Sequence, residues 1–442
     1  MILQPGMQQQ NRWRGKYMNR KKICVLGLGY IGLPTAAMFA THGHSVTGVD
    51  VRGDVVDALN NAKITIEEPY LDILVQAAVK SENLVGSTEP VEADVFIIAV
   101  PTPLTTGKQA DMSYVVQATQ SIVPYVRKGN IVVLESTSPP GTVRDIICPM
   151  LERSGLILGE ELYVGHSPER VLPGRILMEL VGNNRIVGGI NGESADRIKD
   201  IYSTFVNGEI FLTDETTAEM CKVMENTFRD VNIALANELS KICEETGIDA
   251  WEVIRLCNKH PRVSIHQPGP GVGGHCLAVD PWFIVQSNPE TAGIIRLSRQ
   301  TNDSMPHFVA GSIEGMFCGG EGRHRICILG VTYKADVDDV RESPILELIS
   351  ILVERGYDVA AYDPHAKGFL CEAGSLEEAV SGSDIIVLGV NHEAFKKLNI
   401  KELGSLAKGK LLYDLRNYLD REAFEKEGFL VKVLGNGKPA QM

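Results

Sequence analysis

A glycine-patterned turn between two short apolar segments near the N-terminus constrains the fold most strongly. Residues 22–25 are typical of a strand, 27–32 form a G-x-G-x-x-G run, and 33–42 follow with a helical pattern. A second strand pattern at 45–49 ends at Asp50. The three glycines allow a tight turn and let a pyrophosphate approach the helix N-terminus, and Asp50 can accept a hydrogen bond from a ribose 2′-hydroxyl. The sequence therefore predicts a dinucleotide-binding βαβ unit.

The acidic residue at the end of the second strand also indicates which dinucleotide binds. A carboxylate at Asp50 repels a 2′-phosphate, which favours NAD over NADP. Arg52 stands two positions later, and a guanidinium there keeps NADP open as an alternative.

Strand and helix patterns continue to alternate up to about residue 208. Buried parallel strands are predicted at 95–100, 131–135, 162–166 and 185–188. The first two run into loops that contain Thr102 and Thr137, at the edge of the sheet where a doubly wound fold holds its ligand. Turn capping is the alternative role for each threonine.

Residues 216–245 have a helical pattern without proline or glycine. About 30 residues span ~45 Å, longer than one domain needs. A helix of this length is typical of a connection between two lobes and of packing against its copy in a dimer. Lys222, Asn226 and either Arg229 or Asp230 recur on one face, which is either a functional cluster or a solvated stripe.

From Arg325 onward the sequence roughly repeats the first plan. Strands are predicted at 326–330, 359–362 and 384–390, with a helix at 344–355. The three-glycine spacing is missing, so we expect a second Rossmann-like domain that binds something other than NAD. Lys334 and Arg341 could clamp a diphosphate or a nucleotide, or they could form surface ion pairs with the aspartates between them.

A second glycine-rich segment, 269–274, leads to Cys276, and Asp280 follows four residues later. If a helix begins near Cys276, the two side chains share a face and the helix N-terminus lowers the thiol pKa. The glycines leave backbone amides uncovered for an anionic ligand. This pattern indicates a nucleophilic thiolate beside a bound phosphate; the alternative is inert packing in an ordinary turn.

Charge and cysteine usage exclude several classes of function. The 442 residues carry a net charge of −13, which argues against a general binder of nucleic acid or membrane surfaces. No apolar run approaches the ~20 residues that cross a bilayer. Nine scattered cysteines without C-x-x-C pairing suit a reducing compartment and provide no zinc framework. We expect a cytoplasmic protein without a metal site and without a nucleic-acid or membrane partner.

The expected architecture is α/β, with two Rossmann-like doubly wound domains joined by a central helical region that contains one long helix. Residues 1–20 are polar and Gln-rich and lack the apolar core of a signal peptide, so a disordered extension is predicted there. The predicted domains are 21–208 for NAD, 209–320 for catalysis and dimerisation, and 321–442 as the second Rossmann-like domain.

Five motifs in this order carry a family resemblance. From about residue 21 to 430 the chain resembles the UDP-glucose/GDP-mannose dehydrogenase family. The motifs are the 27–32 turn, Ser167-Pro168-Glu169-Arg170, Glu219-x-x-Lys222-x-x-x-Asn226, Gly273-Gly274-x-Cys276-x-x-x-Asp280, and 334–344. Within the family, 168–174, 260–263 and 271–283 resemble the branch that oxidises UDP-N-acetyl-D-mannosamine.

The resemblance implies a four-electron oxidation of the sugar C6 alcohol to a carboxylate with two NAD⁺. Cys276 adds to the intermediate aldehyde as a thiohemiacetal, which is oxidised to a thioester and hydrolysed. Lys222 exchanges the proton and stabilises the oxyanion, Asn226 holds the same oxygen, and Asp280 orients water or the base. The product is a precursor for a surface polysaccharide or another glycan.

The resemblance also implies two sets of binding residues. The NAD set is Gly27, Gly29, Tyr30, Ile31, Gly32, Asp50, Arg52, Thr102, Thr137 and Arg341. The UDP-sugar set is Glu169, Arg170, Val171, Lys222, Asn226, Arg229, His260, Arg262, Gly273, Tyr333 and Lys334. Arg262 is expected to reach the active site of a neighbouring subunit, which implies a homodimer.

Two departures from the UDP-glucose branch bear on the sugar. Where that branch has Pro-Lys-Asp after its cysteine, this chain has Ala278-Val279-Asp280, and where it has a second glutamate after Ser-Pro-Glu, this chain has Pro173. The polar lining near the reacting carbon therefore differs. We rank UDP-N-acetylmannosamine first, UDP-N-acetylglucosamine or UDP-N-acetylgalactosamine second, and UDP-glucose third.

Two readings outside this reaction are also considered. A catalytically silent NAD-binding sensor or scaffold would lack the nucleophile or the base, yet Cys276, Lys222, Asn226 and Asp280 are all present. A two-electron hydroxyacid dehydrogenase shares the Rossmann domain and a catalytic lysine, but it needs neither Cys276 nor the third domain.

Overall fold

The computed structural model describes residues 20–274, 276–317 and 324–438. The chain forms two compact units. Residues up to Thr102 and Asp111–Lys222 belong to the first unit, and Pro103–Ala110 and the chain from Val223 onward belong to the second. Except for Arg20, the predicted disordered extension at 1–20 lies outside the described residues. The three predicted domain boundaries stay predictions.

The first unit is built on one sheet of eight strands in the order β3-β2-β1-β4-β5-β6-β7-β8. The strands are β1 Lys22–Leu26, β2 Ser45–Val49, β3 Leu84–Ser87, β4 Val95–Ile98, β5 Ile131–Leu134, β6 Tyr163–His166, β7 Arg185–Gly189 and β8 Ile210–Asp214. From β3 to β6 all neighbours are parallel, in the 3-2-1-4-5-6 order of a dinucleotide-binding fold.

The seventh strand corrects one prediction. Strand β7 was expected to be parallel, but it pairs antiparallel with β6, with His166 opposite Gly188. The connection from β6 to β7 begins and ends at the same edge of the sheet, so the chain turns back instead of crossing over. Four of the five β7 residues are buried, and a strand buried on both faces has no alternating pattern that reveals its direction.

In the described part of the first unit, seven helices precede the long helix and cover this sheet. They are α1 Gly32–Thr41, α2 Gly53–Asn60, α3 Leu71–Lys80, α4 Ser113–Ile122, α5 Cys148–Leu151, α6 Ile176–Gly182 and α7 Gly192–Tyr202. A π-helical turn, Val143–Ile147, leads into α5, and a 3₁₀ turn, Glu152–Ser154, follows it. Alternate residues of β1 belong to separate cores on the two sheet faces: Ile23 and Val25 on the α1 side, Cys24 and Leu26 on the other.

The long helix α8 spans Glu215–Thr246, so the predicted helix at 216–245 is confirmed. Its 32 residues contain neither proline nor glycine, which permits an unbroken hydrogen-bond ladder. It begins in the first unit and ends in the second. The helices that follow it in the second unit are α9 Ala250–Cys257, α10 Asp280–Ser287, α11 Gly293–Asp303 and α12 Met305–Met316.

The remainder of the second unit is a five-stranded parallel sheet in the order β10-β9-β11-β12-β13. The strands are β9 Arg325–Leu329, β10 Asp358–Tyr362, β11 Ile385–Leu388, β12 Leu411–Asp414 and β13 Leu430–Val433. The helices are α13 Pro344–Glu354, α14 Leu376–Val380, α15 Ile400–Leu406 and α16 Arg421–Lys426, with a 3₁₀ segment at Glu393–Lys397. This order matches the β2-β1-β4-β5-β6 part of the first sheet.

The predicted α/β class, with two doubly wound sheets and a helical region between them in sequence, is confirmed. Among the described residues, no helix is both long and apolar enough to cross a membrane.

Candidate functional site

The glycine turn after β1 has a shape that only small residues permit. Gly27 has a φ of +92°, and a Cβ there would lie 2.6 Å from the carbonyl oxygen of Ala99. A Cβ on Gly32 would overlap the carbonyl oxygen of Gly27. By contrast, no heavy atom lies within 4 Å of a Cβ built on Gly29. The turn is therefore closed against the protein at Gly27 and Gly32 and open at Gly29, as a site for a bulky pyrophosphate requires.

The open side of Gly29 gives a direct test of dinucleotide binding. We expect Gly29→Ala to leave the melting temperature within ~2 °C of wild type, because its Cβ meets no protein atom. The same Cβ occupies the approach of the pyrophosphate, so the KM for NAD⁺ should rise at least about tenfold. Gly53→Ala, also in open space, is the matched control. An unchanged KM for NAD⁺ in Gly29→Ala would contradict this assignment.

The end of β2 fits a ribose rather than a 2′-phosphate. The Asp50 carboxylate accepts the backbone N–H of Leu28 at 3.0 Å and that of Arg52 at 3.0 Å, which fixes its orientation beside the glycine turn. The guanidinium of Arg52 is paired with Asp54, through an Nε–Oδ1 hydrogen bond of 3.2 Å. Arg52 is thus engaged by a carboxylate, which supports NAD as the cofactor.

Thr102 and Thr137 lie at the carboxyl ends of neighbouring strands and contact each other. The hydroxyl of Thr102 donates to the carbonyl oxygen of Thr137 at 2.7 Å. Ser136 donates to the carbonyl oxygen of Val100 at 2.7 Å. These bonds tie the loops after β4 and β5 together, and two residues of the predicted NAD set meet there.

Glu219, on the first turns of α8, holds the loop that follows Thr137. Its carboxylate accepts the backbone N–H of Gly141 at 2.5 Å and that of Val143 at 2.8 Å. Burial raises the pKa of Glu219 to about 7, and the two N–H groups act in the opposite direction. These two hydrogen bonds hold the N-terminal part of α8 against the loop that follows β5.

The raised pKa predicts a pH-dependent stability. The folded-state pKa lies above the unfolded value of about 4.3, so the contribution is fully present below that value and is lost as the pH rises through 7. Between pH 4.5 and 7.5 the loss is about 3 kcal/mol. We expect Glu219→Gln to reduce the pH dependence of the unfolding free energy between pH 4.5 and 7.5 by about this amount, measured by denaturant titration at each pH. Glu245→Gln, near the end of α8, is the control; an equal pH dependence in wild type and Glu219→Gln would contradict the assignment.

Glu169 and Arg170 follow β6. Glu169 is buried, and one carboxylate oxygen accepts the N–H of Arg170 at 2.7 Å while the other accepts from Arg185 at 3.0 Å. Arg170 lines a cavity of about 360 Å³ together with Thr217 and Cys221 of α8. Val171 packs against the α1-side core.

Lys222 lies within electrostatic range of the end of β6. Burial, together with the smaller effect of the positive charges of Arg185 and Lys222, lowers the pKa of His166 to about 3. In the first unit, Lys222 therefore lies near the end of β6, the strand that Glu169 follows.

Cys276 and its partners are brought together in the second unit. Asp280 is buried and accepts a 2.6 Å hydrogen bond from the side-chain amide of Asn226. Its backbone N–H donates to the carbonyl oxygen of Cys276 at 2.9 Å, which closes a single turn around an exposed thiol. The conditional expectation of a helix N-terminus at Cys276 is corrected, because α10 begins four residues later, at Asp280. Pro281, which has no backbone N–H, is the second residue of this helix.

The glycine-rich segment before Cys276 packs closely on the loop that follows β9. A Cβ on Gly273 would lie 2.9 Å from Cβ of Tyr333, and one on Gly274 would lie 2.8 Å from the tyrosine ring. The N–H of Gly274 donates to the carbonyl oxygen of Arg341 at 3.2 Å. Gly273, Tyr333 and Arg341 are therefore neighbours, and the glycines are needed for the close approach. His275 lies outside the described residues.

The remaining predicted substrate residues are exposed. Lys334 directly follows Tyr333. Arg341, which belongs to the predicted NAD set, is also exposed, and its guanidinium forms a bidentate pair with Asp339, with an Nη2–Oδ2 distance of 2.7 Å. The N–H of Arg262 donates to Nδ1 of His260 at 3.3 Å in the loop after α9. Arg229 projects from α8 at an exposed position.

The sequence patterns missed Arg416, which follows β12. Its Nε donates to the carbonyl oxygen of Gly389 at 3.1 Å, and a Cβ on Gly269 would lie 2.6 Å from its Nη1. Burial lowers the pKa of Arg416 to about 10. A guanidinium against the glycine-rich segment is a ready anion ligand. Its position after a strand end of the second sheet was the only available signal.

Sequence models of one family match three successive parts of the chain. The NAD-binding domain of the UDP-glucose/GDP-mannose dehydrogenase family matches residues 21–206, the central domain 216–304, and the UDP-binding domain 327–421. The chain belongs to the UDP-glucose/GDP-mannose dehydrogenase family. The predicted family and its cofactor, NAD, are thereby confirmed, and the chain is an NAD-dependent oxidoreductase.

Individual members of this family resemble the chain over nearly their full length. A UDP-N-acetyl-D-mannosamine dehydrogenase of Methanococcus maripaludis is 49% identical over 94% of this chain and 97% of the relative. An NDP-N-acetyl-D-galactosaminuronic acid dehydrogenase of Ralstonia solanacearum is 46% identical over 87% of this chain and 94% of the relative. The solved structure of a UDP-D-ManNAc dehydrogenase from Pyrococcus horikoshii has a TM-score of 0.88 at 41% identity, covering 95% of this chain and 100% of that one.

Proposed function

We propose that the protein oxidises UDP-N-acetyl-D-mannosamine at C6 to UDP-N-acetyl-D-mannosaminuronate. The observation that carries this proposal is the Asn226–Asp280 pair, which lies directly beside the turn that presents Cys276. The relatives named as UDP-N-acetyl-D-mannosamine dehydrogenases, at 46–50% identity over at least 94% of this chain, support the choice of sugar.

The proposed reaction removes four electrons in two steps. Bound NAD⁺ supplies the hydride acceptor for each step. Removal of hydride from C6 and of the hydroxyl proton gives the aldehyde. The Cys276 sulfur then adds to C6, the C=O double bond becomes a single bond, and the thiol proton passes to that oxygen to form a thiohemiacetal. Loss of a second hydride and of the remaining hydroxyl proton gives a thioester. Water attacks the thioester carbon, the C–S bond breaks, and the carboxylate and the free thiol are released.

Four side chains share the proton and charge transfers of this reaction. Lys222 takes the C6 hydroxyl proton and, when protonated, stabilises the oxyanion that develops during addition and hydrolysis. Asn226 donates to the same oxygen. Asp280, whose orientation is fixed by Asn226 at 2.6 Å, orients the attacking water. Cys276 keeps the aldehyde covalently attached, so that it does not leave between the two oxidations.

The binding residues form one set for NAD⁺ and another set for the UDP-sugar. The glycine turn, Asp50 and the Thr102–Thr137 pair hold NAD⁺, and the pyrophosphate lies over Gly29. The UDP moiety lies against the segment formed by Gly273, Tyr333 and Lys334, where Arg416 adds positive charge. Glu169 accepts hydrogen bonds from the sugar hydroxyls.

A panel of four nucleotide sugars tests the choice of substrate. The purified protein is incubated with NAD⁺ and UDP-N-acetylmannosamine, UDP-N-acetylglucosamine, UDP-N-acetylgalactosamine or UDP-glucose, and kcat/KM and product mass are measured. We expect the mannosamine derivative to be preferred at least about tenfold over each of the others. Preference for the galactosamine derivative would transfer the assignment to the activity named for the Ralstonia relative, and turnover of none would overturn the proposal.

We also propose that the protein works as a homodimer in which α8 packs against its copy. Met224, Phe228, Leu235 and Ile242 recur along this helix at intervals of four and seven residues and are exposed. An apolar stripe with this spacing is typical of a helix that packs against another helix. Arg262, on the exposed loop after α9, then reaches the partner's active site. A cytoplasmic location and a role in glycan precursor synthesis complete the proposal.

A charge in this stripe should separate the subunits. Phe228→Glu buries a carboxylate in the proposed interface, so we expect a shift from dimer to monomer and at least about a tenfold lower activity, measured by sedimentation and NADH formation. Ile73→Glu on α3 is the matched control, because Phe228 and Ile73 are both 62% exposed. A Phe228→Glu variant that remains dimeric would rule out this interface.

A further inference from the structure

A buried ionic cluster lies at the edge of the first sheet, around Arg185. Its Nη1 donates to Glu169 at 3.0 Å, its Nη2 to Glu135 at 2.7 Å, and its Nε to the Ser167 hydroxyl at 2.8 Å. The ring of Tyr202 covers the guanidinium at 3.9 Å. The Arg185 guanidinium is thus held in one orientation by hydrogen bonds from all three of its nitrogen atoms and by an aromatic ring on one face.

This cluster leaves Glu169 little freedom to rotate. One of its carboxylate oxygens accepts from Arg185, and the other accepts from the N–H of Arg170. Both oxygens are therefore fixed before any ligand binds. A carboxylate oxygen can accept more than one hydrogen bond, so sugar hydroxyls can still bind to Glu169.

Glu135 anchors the arginine on the side opposite Glu169. One of its oxygens accepts the Tyr202 hydroxyl at 2.6 Å as well as Arg185, and the other accepts the Thr35 hydroxyl at 3.2 Å. Burial raises the pKa of Glu135 to about 7, whereas the charge of Arg185 acts in the opposite direction. Thr35 lies on α1, the helix that begins at the glycine turn.

Burying this cluster has a large desolvation cost in free energy, which is unfavourable for a purely structural element. It buries two carboxylates and one guanidinium where well-packed apolar side chains are often equally or more stable. We propose that Arg185 is a positioning residue, anchored by Glu135, that holds the Glu169 carboxylate in the orientation needed to bind the sugar. This inference rests on the proposed function, because it deepens the role of Glu169 in that reaction.

A double-mutant cycle separates positioning from general stability. The kinetic constants for UDP-N-acetylmannosamine and for NAD⁺ are measured separately in wild type, Glu169→Gln, Arg185→Lys and the double variant, with melting temperatures for each. We expect each single variant to lower kcat/KM for the sugar at least about tenfold. In the Glu169→Gln background, Arg185→Lys should lower kcat/KM for the sugar by a further factor of less than about three. The KM for NAD⁺ should stay within about twofold of wild type in all variants.

Two further variants keep the test decisive. Ser167→Ala removes one support of Arg185 and keeps all charges, so it should lower kcat/KM for the sugar about threefold and leave the KM for NAD⁺ unchanged, even if Arg185→Lys does not fold. Arg197→Lys is the control, because Arg197 also covers a tyrosine ring at 3.9 Å but lies at the exposed surface.

The outcomes distinguish the two proposals. Additive losses in the cycle, an equal change in the KM for NAD⁺, or unimpaired sugar oxidation by Glu169→Gln would overturn the positioning role while the wild type still turns over. A wild type that oxidises no nucleotide sugar would overturn the proposed function, and the positioning role with it.

Discussion

Replacing Cys276 by serine is expected to lower the rate of uronate formation at least about 10³-fold. A serine hydroxyl remains protonated near neutral pH and is a much weaker nucleophile than a thiolate. The aldehyde is then not captured as a covalent adduct, so the second oxidation slows far more than the first. Rapid-quench analysis should show NADH formation limited to about one equivalent per enzyme in the first phase.

A second exposed cysteine provides the control for this experiment. Cys257, at the end of α9, is also exposed, and Cys257→Ser should retain wild-type turnover. Acid production by Cys276→Ser at the wild-type rate would contradict a thioester route.

Replacing Lys222 by methionine should lower kcat by about 10²- to 10⁴-fold, the range typical of a lost general acid–base group. The methionine side chain keeps much of the lysine's length and its helix propensity but can neither exchange a proton nor stabilise an oxyanion. Because the proposed role of Lys222 is mainly to stabilise the transition states, the KM for NAD⁺ should change little. Steady-state kinetics from pH 6 to 10 measure both quantities.

Another lysine of α8 is the matched control. Lys241 donates to the hydroxyl of Ser304 at 2.8 Å, far along the helix from Lys222. We expect Lys241→Met to retain kcat within about threefold. Equal losses in the two variants would indicate damage to the helix rather than loss of a catalytic amine.

Much of the fold could be predicted because local patterns determine it. The glycine turn fixes β1, α1 and β2, and the absence of glycine and proline in α8 permits one helix of 32 residues. The direction of β7 could not be predicted, because strands buried on both faces have the same apolar pattern in either direction. Short edge elements such as β3 and β8 also lack a strong periodic signal.

Part of the candidate site could be proposed from the sequence, where the chemistry requires both a residue type and its spacing. The four-residue spacing of Cys276 and Asp280 indicated that the two side chains lie close together, but the expected helix start at Cys276 was wrong, because α10 begins at Asp280. The contacts of Arg185, Glu135 and Arg416 were not predictable, because they join positions far apart in sequence. Position along the chain does not reveal which buried charges meet across a sheet edge.

The most direct test of the central claim is the number of NADH molecules formed for each UDP-N-acetylmannosamine consumed. With limiting sugar and excess NAD⁺, the total NADH absorbance is compared with the sugar consumed and with the mass of the product. We expect two NADH per sugar and a uronate, because one oxidation gives the aldehyde and the second gives the Cys276 thioester. One NADH per sugar with an aldehyde product would contradict it.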